Sequence, residues 1–62
     1  MDIRRFPTAA EAERFLREQG FRFVGAPNRW RKSEDHRIHY AEITHSAGQS
    51  VIVITTVESK TP

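Results

Sequence analysis

The residue types best suited to chemistry or recognition in this chain are gathered between residues 29 and 40. This segment holds the only Trp, the only Tyr, two of the three His and four of the ten cationic side chains. Planar rings beside guanidinium groups can contact anions, nucleic-acid bases or the hot spot of a protein partner. The segment is therefore the first candidate for a functional surface.

The two His of this segment, with Glu34 and Asp35 beside them, are candidates for general acid–base catalysis. Such a pair has to reach one scissile bond together. On a strand, His36 and His39 would point to opposite faces, because their separation is odd. The spacing therefore favours an exposed polar hairpin, whose acidic residues offset nearby Arg, over a catalytic pair.

Other catalytic and metal-binding patterns are weak in this sequence. His36, His39 and His45 lack regular ligand spacing, and Glu42 is their only carboxylate companion. The serines lie in turn or tail contexts without a nucleophile motif, and there is no Gly-rich phosphate loop. We therefore expect a protein that is not an enzyme and uses neither a metal nor another cofactor.

With catalysis and metal binding disfavoured, binding is the remaining interpretation of residues 29–40. The predicted contact surface consists of six aromatic, imidazole and guanidinium side chains: Arg29, Trp30, Arg31, Arg37, His39 and Tyr40. An alternative stays open, in which Trp30 is the largest core residue, packed against Phe15 and Phe23, with its Arg neighbours solvated.

Length and composition restrict the architecture. Sixty-two residues form one domain, residues 1–62, and residues 58–62 are predicted to be a flexible polar tail. A chain of this length buries only about 60% of its unfolded surface, and without Cys it has no disulfides to compensate. Stability then has to come from tight packing or from oligomerisation.

The net charge of +2 permits an anionic partner without requiring one. Arg outnumbers Lys by eight to two, which suits bidentate and stacked contacts. The apolar run at residues 51–54 is far shorter than the about 20 residues of a membrane span, and no apolar segment follows Arg4 and Arg5 as in a signal peptide. We therefore expect a soluble, cytoplasmic protein with no membrane partner.

Local signals predict one helix over residues 8–19. Thr8 and Glu11 have the spacing of a capping box, and Gly20 followed by Phe21 is a typical helix C-terminus. Apolar residues recur at helical spacing on one face, and Glu13 and Arg17 are placed to pair on the other.

The chain after Gly20 predicts strands near residues 21–25, 29–32, 37–44 and 50–57, separated by turns at 26–28, 33–35 and 46–49. The alternation breaks in the third strand, where either a bulge near Tyr40 or partial cover on both faces would explain the pattern. The predicted fold class is α+β, with one N-terminal helix packed on a three- or four-stranded antiparallel sheet.

The last strand is apolar on both faces. Val51, Val53 and Val57 alternate with Ile52 and Ile54, and a single helix can cover only one of the two sets. The other set is shielded by sheet twist and long side chains, or else it is covered by a partner, which includes a second copy of the chain in a homodimer through the sheet.

Two resemblances suggest where such a chain belongs. Phe15-Leu16 and Gly20-Phe21-Arg22-Phe23-Val24 resemble the start of HicA-type toxins, RNA-cleaving proteins with a double-stranded-RNA-binding-like fold. That family has its catalytic His on the second strand, where this chain has residues 28–30, so no catalytic residue carries over. The size and layout also resemble small phage and mobile-element proteins such as anti-CRISPR inhibitors, which implies stoichiometric binding.

The predicted function is therefore binding. The preferred hypothesis is a phage or mobile-element accessory protein that inhibits a host protein or nucleoprotein complex. The alternative is an RNA- or DNA-binding module that uses the same segment, as the HicA-like resemblance implies.

Overall fold

A computed structural model of the protein describes residues 1–58, which form five antiparallel strands and one helix. The strands follow the order β1-β5-β4-β3-β2 across a single sheet, so the helix connects the two edge strands. The elements are β1 (Asp2–Phe6), α1 (Ala9–Glu18), β2 (Arg22–Gly25), β3 (Arg29–Glu34), β4 (Arg37–Ser46) and β5 (Gln49–Glu58). Of the predicted tail, only Glu58 belongs to the described residues, and it ends β5.

The helix forms where its local signals predict it. The Thr8 hydroxyl accepts a hydrogen bond from the Glu11 amide at 3.2 Å. At the other end, Gly20 has a φ of +94°, and the Phe21 amide donates to the Leu16 carbonyl at 2.9 Å. This Schellman-type closure turns the chain away from the helix axis and into β2.

The number of strands differs from the prediction: the α+β class is confirmed, but the sheet has five strands rather than three or four. The missed strand is β1, which pairs along one edge of β5 from Asp2↔Ile54 to Phe6↔Ser50. Its side chains are mostly exposed, so they carry no apolar alternation. Backbone pairing with an otherwise open edge of β5 makes this segment a strand.

The hairpin connections are shorter than the turn signals suggest. The turn at residues 26–28 is confirmed, whereas β3 continues to Glu34 and the next turn consists of Asp35 and His36. Ala47 and Gly48 form the last turn, with φ values of +52° and +74°. Two-residue turns with positive φ match the twist of the strands that they join.

Of the two explanations for the pattern of β4, a bulge near Tyr40 is excluded, since β4 and β5 pair without interruption from Arg37↔Glu58 to Ser46↔Gln49. The irregular pattern of β4 instead reflects two different environments, with Ala41 and Ile43 buried on the helix side and Ile38 and Tyr40 less buried on the other side. A bulge does occur in β2, between residues 23 and 25.

The core lies between α1 and the sheet. Helix residues Ala12 and Leu16 are fully buried there, and Ile52 lies beneath them on β5. The remaining members of this cluster are Phe21, Trp30, Ala41 and Ile43. Because α1 covers only this face of the sheet, the opposite face has no covering layer within residues 1–58. The helix is also too short and too polar to cross a membrane.

Candidate binding surface on the open sheet face

The face of the sheet opposite α1, here called the open face, is the candidate functional surface. Cross-strand partners share a face and successive residues alternate between faces. One row across the sheet therefore presents Arg22, Arg31, Tyr40 and Thr55. The next row presents Arg29, Glu42, Val53 and Ile3. These rows combine residues from all five strands.

Large apolar side chains are exposed on this face. Ile3, Tyr40 and Val57 are between 45% and 52% exposed, and Val24, in the bulged part of β2, is 57% exposed. A half-open groove of about 660 Å³ runs between the β2–β3 connection and the centre of the sheet. The residues that line the groove are Val24, Gly25, Ala26, Arg29, Trp30, Tyr40, Ala41, Glu42, Val53 and Thr55.

The charges of the open face are predominantly positive. Four Arg lie on it, at positions 5, 22, 29 and 31, against the single carboxylate of Glu42. Arg29 Nε lies 3.5 Å from Glu42 Oε2, so one of the four charges is partly neutralised. Within residues 1–58, neither Arg22 nor Arg31 has a carboxylate oxygen within 4.0 Å.

The six residues predicted from the sequence as a contact surface are divided between the two faces. Arg29, Arg31 and Tyr40 lie together on the open face. Trp30, His39 and Arg37 lie on the face that α1 packs against, with Arg37 exposed at the start of β4. A single surface of all six residues is therefore not formed.

Trp30 occupies the core rather than the surface, with only 2% of its area exposed. Its Nε1 donates to Asn28 Oδ1 at 2.8 Å, which satisfies its one polar group. Phe23 packs edge-on against its ring at 5.6 Å between centroids, and the Arg17 guanidinium lies 5.3 Å from the ring centre. The core alternative therefore describes this residue, although Phe15 pairs with Phe6 instead.

His39 joins three strands on the helix-side face. Its Nδ1 lies 2.8 Å from the Thr56 hydroxyl, and its Nε2 lies 3.0 Å from Glu34 Oε1. With the carboxylate accepting from Nε2–H, Nδ1 accepts from the hydroxyl. This hydroxyl–imidazole–carboxylate order is the arrangement that activates a nucleophile in some enzymes.

A structural role explains the His39 contacts better than a catalytic one. Thr56 is the direct cross-strand partner of His39, so the contact between their side chains joins β4 to β5 within the regular ladder. Lys32 Nζ also lies 3.5 Å from the Glu34 carboxylate and donates to the Gln19 carbonyl at 2.9 Å. These contacts connect the helix C-terminus to the sheet.

Sequence reasoning missed Arg22, Val24, Glu42 and Thr55 as members of the surface. The alternation in the last strand predicted that Val51, Val53 and Val57 would share one face, and the pairing with β4 confirms this. Nothing in the local sequence shows that Arg22 lies beside Arg31, because that neighbourhood depends on the register between β2 and β3.

No His, Asp or Glu side chains gather in groups of three or more that could hold a metal ion within residues 1–58. No family model, curated protein or solved structure matches the chain. The open face therefore has to be interpreted from its own geometry and charge.

The juxtaposition of Arg22 and Arg31 predicts a measurable cost to stability. Like charges directly opposite on neighbouring strands destabilise a sheet by about 0.2–1 kcal/mol. We expect Arg31→Gln to raise the free energy of unfolding by a few tenths of a kcal/mol at low salt, and the gain to shrink at high salt. Urea denaturation at two salt concentrations measures both effects.

Arg14→Gln is the matched control, because it removes the same charge from the exposed side of α1, where Glu11 and Glu18 are neighbours on the helix surface. We expect this change to be neutral or destabilising. Equal stabilisation by both substitutions would show that net charge, rather than the Arg22–Arg31 pair, is responsible.

Proposed function

We propose that the protein is a non-enzymatic binding protein whose open sheet face docks on a partner. The observation that carries this proposal is a sheet face without a covering layer in residues 1–58, which exposes aliphatic side chains together with Tyr40 and several Arg. Val51 lies on the same face but is buried among its neighbours. Small proteins bury such apolar area when they can, and a large exposed apolar patch is typical of an interaction site.

The composition of the open face favours a protein as the partner. Tyr and Arg are enriched at the hot spots of protein interfaces, and apolar side chains form their centres. The aliphatic side chains of this face offer apolar contact area but no aromatic ring on which a nucleobase could stack. They are Val24, Val53 and Val57. A groove of about 660 Å³ is large enough to accept one or two side chains of a partner.

The biological role that we propose is inhibition of a host protein or nucleoprotein complex by stoichiometric binding. A chain of 62 residues with one prominent surface suits a protein that acts by occupying a site on its target. The anti-CRISPR inhibitors and other phage or mobile-element accessory proteins, which the layout resembles, act in this way. A homodimer through the same face is a competing use of the surface.

Nucleic acid is the second candidate partner, and the row formed by Arg22, Arg31 and Tyr40 favours it. Two guanidinium groups beside an exposed aromatic ring can hold a phosphate and stack a base. The rest of this surface is less suited to nucleic acid, because it is largely aliphatic. Among residues 1–58, Tyr40 is the only aromatic residue on the open face.

An affinity capture experiment with surface variants tests the proposed function. Tagged wild-type protein is expected to retain a host protein from lysate both with and without nuclease treatment. The double variant Tyr40→Ala/Val53→Ser should lose the partner while keeping the circular dichroism spectrum of the folded protein. Glu18→Gln, on the exposed side of α1, is the control that should retain it.

Loss of all retained material after nuclease treatment would favour the nucleic-acid alternative. Retention of the same protein by the double variant would contradict docking through the open face. Sedimentation of the wild-type protein at micromolar concentration addresses the competing homodimer, because a purely monomeric species leaves the face free for another partner.

A further inference from the structure

We propose that the partner segment bound by the open face is an acidic peptide stretch, in which two carboxylates lie beside one apolar anchor. The carboxylates pair with Arg22 and Arg31, and the anchor enters the groove over Tyr40 and Val53. This inference rests on the proposed function and specifies the chemistry of its partner.

The arginine pair formed by Arg22 and Arg31 has no carboxylate partner within residues 1–58. Arg22 and Arg31 are direct cross-strand partners, so their side chains leave the same face of the sheet side by side. Glu42, the one carboxylate of the open face, is engaged by Arg29. A guanidinium group forms its strongest contacts with carboxylates in bidentate geometry. An acidic ligand would therefore relieve the repulsion and satisfy both donors.

The groove lies beside this arginine pair on the open face. Tyr40 is the cross-strand neighbour of Arg31, and Val53 lies in the adjacent row, across from Glu42. Both side chains line the groove, with the exposed Val24 at its outer wall. An apolar side chain of the partner can thus be buried about two strand spacings, roughly 10 Å, from carboxylates bound at Arg22.

Charge is distributed unevenly between the open face and the rest of residues 1–58. The open face carries four Arg and one Glu, whereas the rest of residues 1–58 has seven acidic and five basic side chains. The positive potential is thus concentrated on the open face although the net charge of the chain is small. An acidic segment would be attracted to this face and weakly repelled by the remaining surface.

Selection from a phage-displayed library of random linear peptides tests this chemistry directly. Peptides enriched on the immobilised wild-type protein are expected to contain two Asp or Glu residues near a Leu, Ile, Phe or Trp. The tightest peptide is then synthesised, together with a version in which Asn and Gln replace the acidic residues. The amide version should bind at least about tenfold more weakly, because it loses charge-assisted hydrogen bonds.

Variants of the protein assign the peptide contacts to individual residues. Arg22→Gln/Arg31→Gln should weaken the acidic peptide by about tenfold or more but leave binding of the amide version nearly unchanged. Tyr40→Ala should weaken both peptides, and Arg14→Gln should weaken neither. Circular dichroism of each variant establishes that it is folded, so a loss of binding reports on the surface.

The outcomes separate this inference from the proposed function. Enriched peptides that depend on Tyr40 but show no preference for Asp or Glu would overturn the acidic partner and leave docking through the open face intact. If the enriched peptides bind every open-face variant as tightly as the wild-type protein, both the acidic partner and docking through the open face are contradicted. Failure to enrich any peptide, or tight binding of a labelled single-stranded oligonucleotide that depends on Arg22 and Arg31, would also overturn the acidic peptide partner.

Discussion

Trp30→Ala is expected to leave most of the protein unfolded at 25 °C. The indole is 98% buried by the neighbouring elements, since only 2% of Trp30 is exposed. Truncation of a buried Phe or Trp to Ala costs about 3–5 kcal/mol, and a core of this size supplies no more than about 3–5 kcal/mol in total. The far-ultraviolet circular dichroism spectrum of the variant should therefore be that of a largely disordered chain.

Two further losses destabilise the folded state of the Trp30→Ala variant. Removal of the indole takes away the edge-on partner of Phe23 and the surface beneath the Arg17 guanidinium. It also removes the donor bonded to Asn28 Oδ1. Tyr40→Ala is the control, because Tyr40 is another large aromatic residue of the same sheet but is 45% exposed on the open face. A folded Trp30→Ala variant, or an unfolded Tyr40→Ala variant, would contradict the assignment of the two faces.

Ile52→Thr is expected to lower the free energy of unfolding by about 2–4 kcal/mol, through lost apolar contacts and a buried hydroxyl. Ile52 lies beneath α1 with none of its surface exposed. Val57→Thr, on the same strand but on the open face and 48% exposed, should change stability by less than about 0.5 kcal/mol. Urea denaturation measures both values.

The comparison at positions 52 and 57 is matched, because both substitutions introduce the same β-branched residue into β5. The strand propensity of the introduced residue is therefore the same in both variants. Similar losses at the two sites would mean that the open face is buried as well, as it would be in a stable homodimer, and sedimentation of the same samples would then show a dimer.

Local elements of this fold could be predicted because their causes are close together in the chain. The helix depends on Thr8 at its start and Gly20 at its end, with an apolar face of regular period between them. The last turn depends on Gly48, which adopts a positive φ without steric cost. Each of these features involves residues within a few positions of one another, so the sequence pattern reports them directly.

The missed strand β1 and the ambiguous pattern of β4 depend on residues that are far apart in the chain. Residues 2–6 have no strand-like alternation, and their pairing partner is β5 at the other end of the chain. The break in the pattern of β4 has two local explanations, which only the uninterrupted pairing with β5 distinguishes. Pairing between distant segments depends on the assembled sheet and leaves little trace in either segment alone.

The order of residue types along the chain predicts an α+β fold with one helix and a last strand that is apolar on both faces, only one of which the helix can cover. It also gathers the rare aromatic and cationic residues into one segment. Which of these residues reach the same surface depends on the assembled sheet: Trp30 lies toward α1, Arg31 and Tyr40 lie on the open face, and the register of β2 places Arg22 beside them. A shift of one residue in register exchanges the two faces of a strand, and the register is set by contacts across the whole sheet.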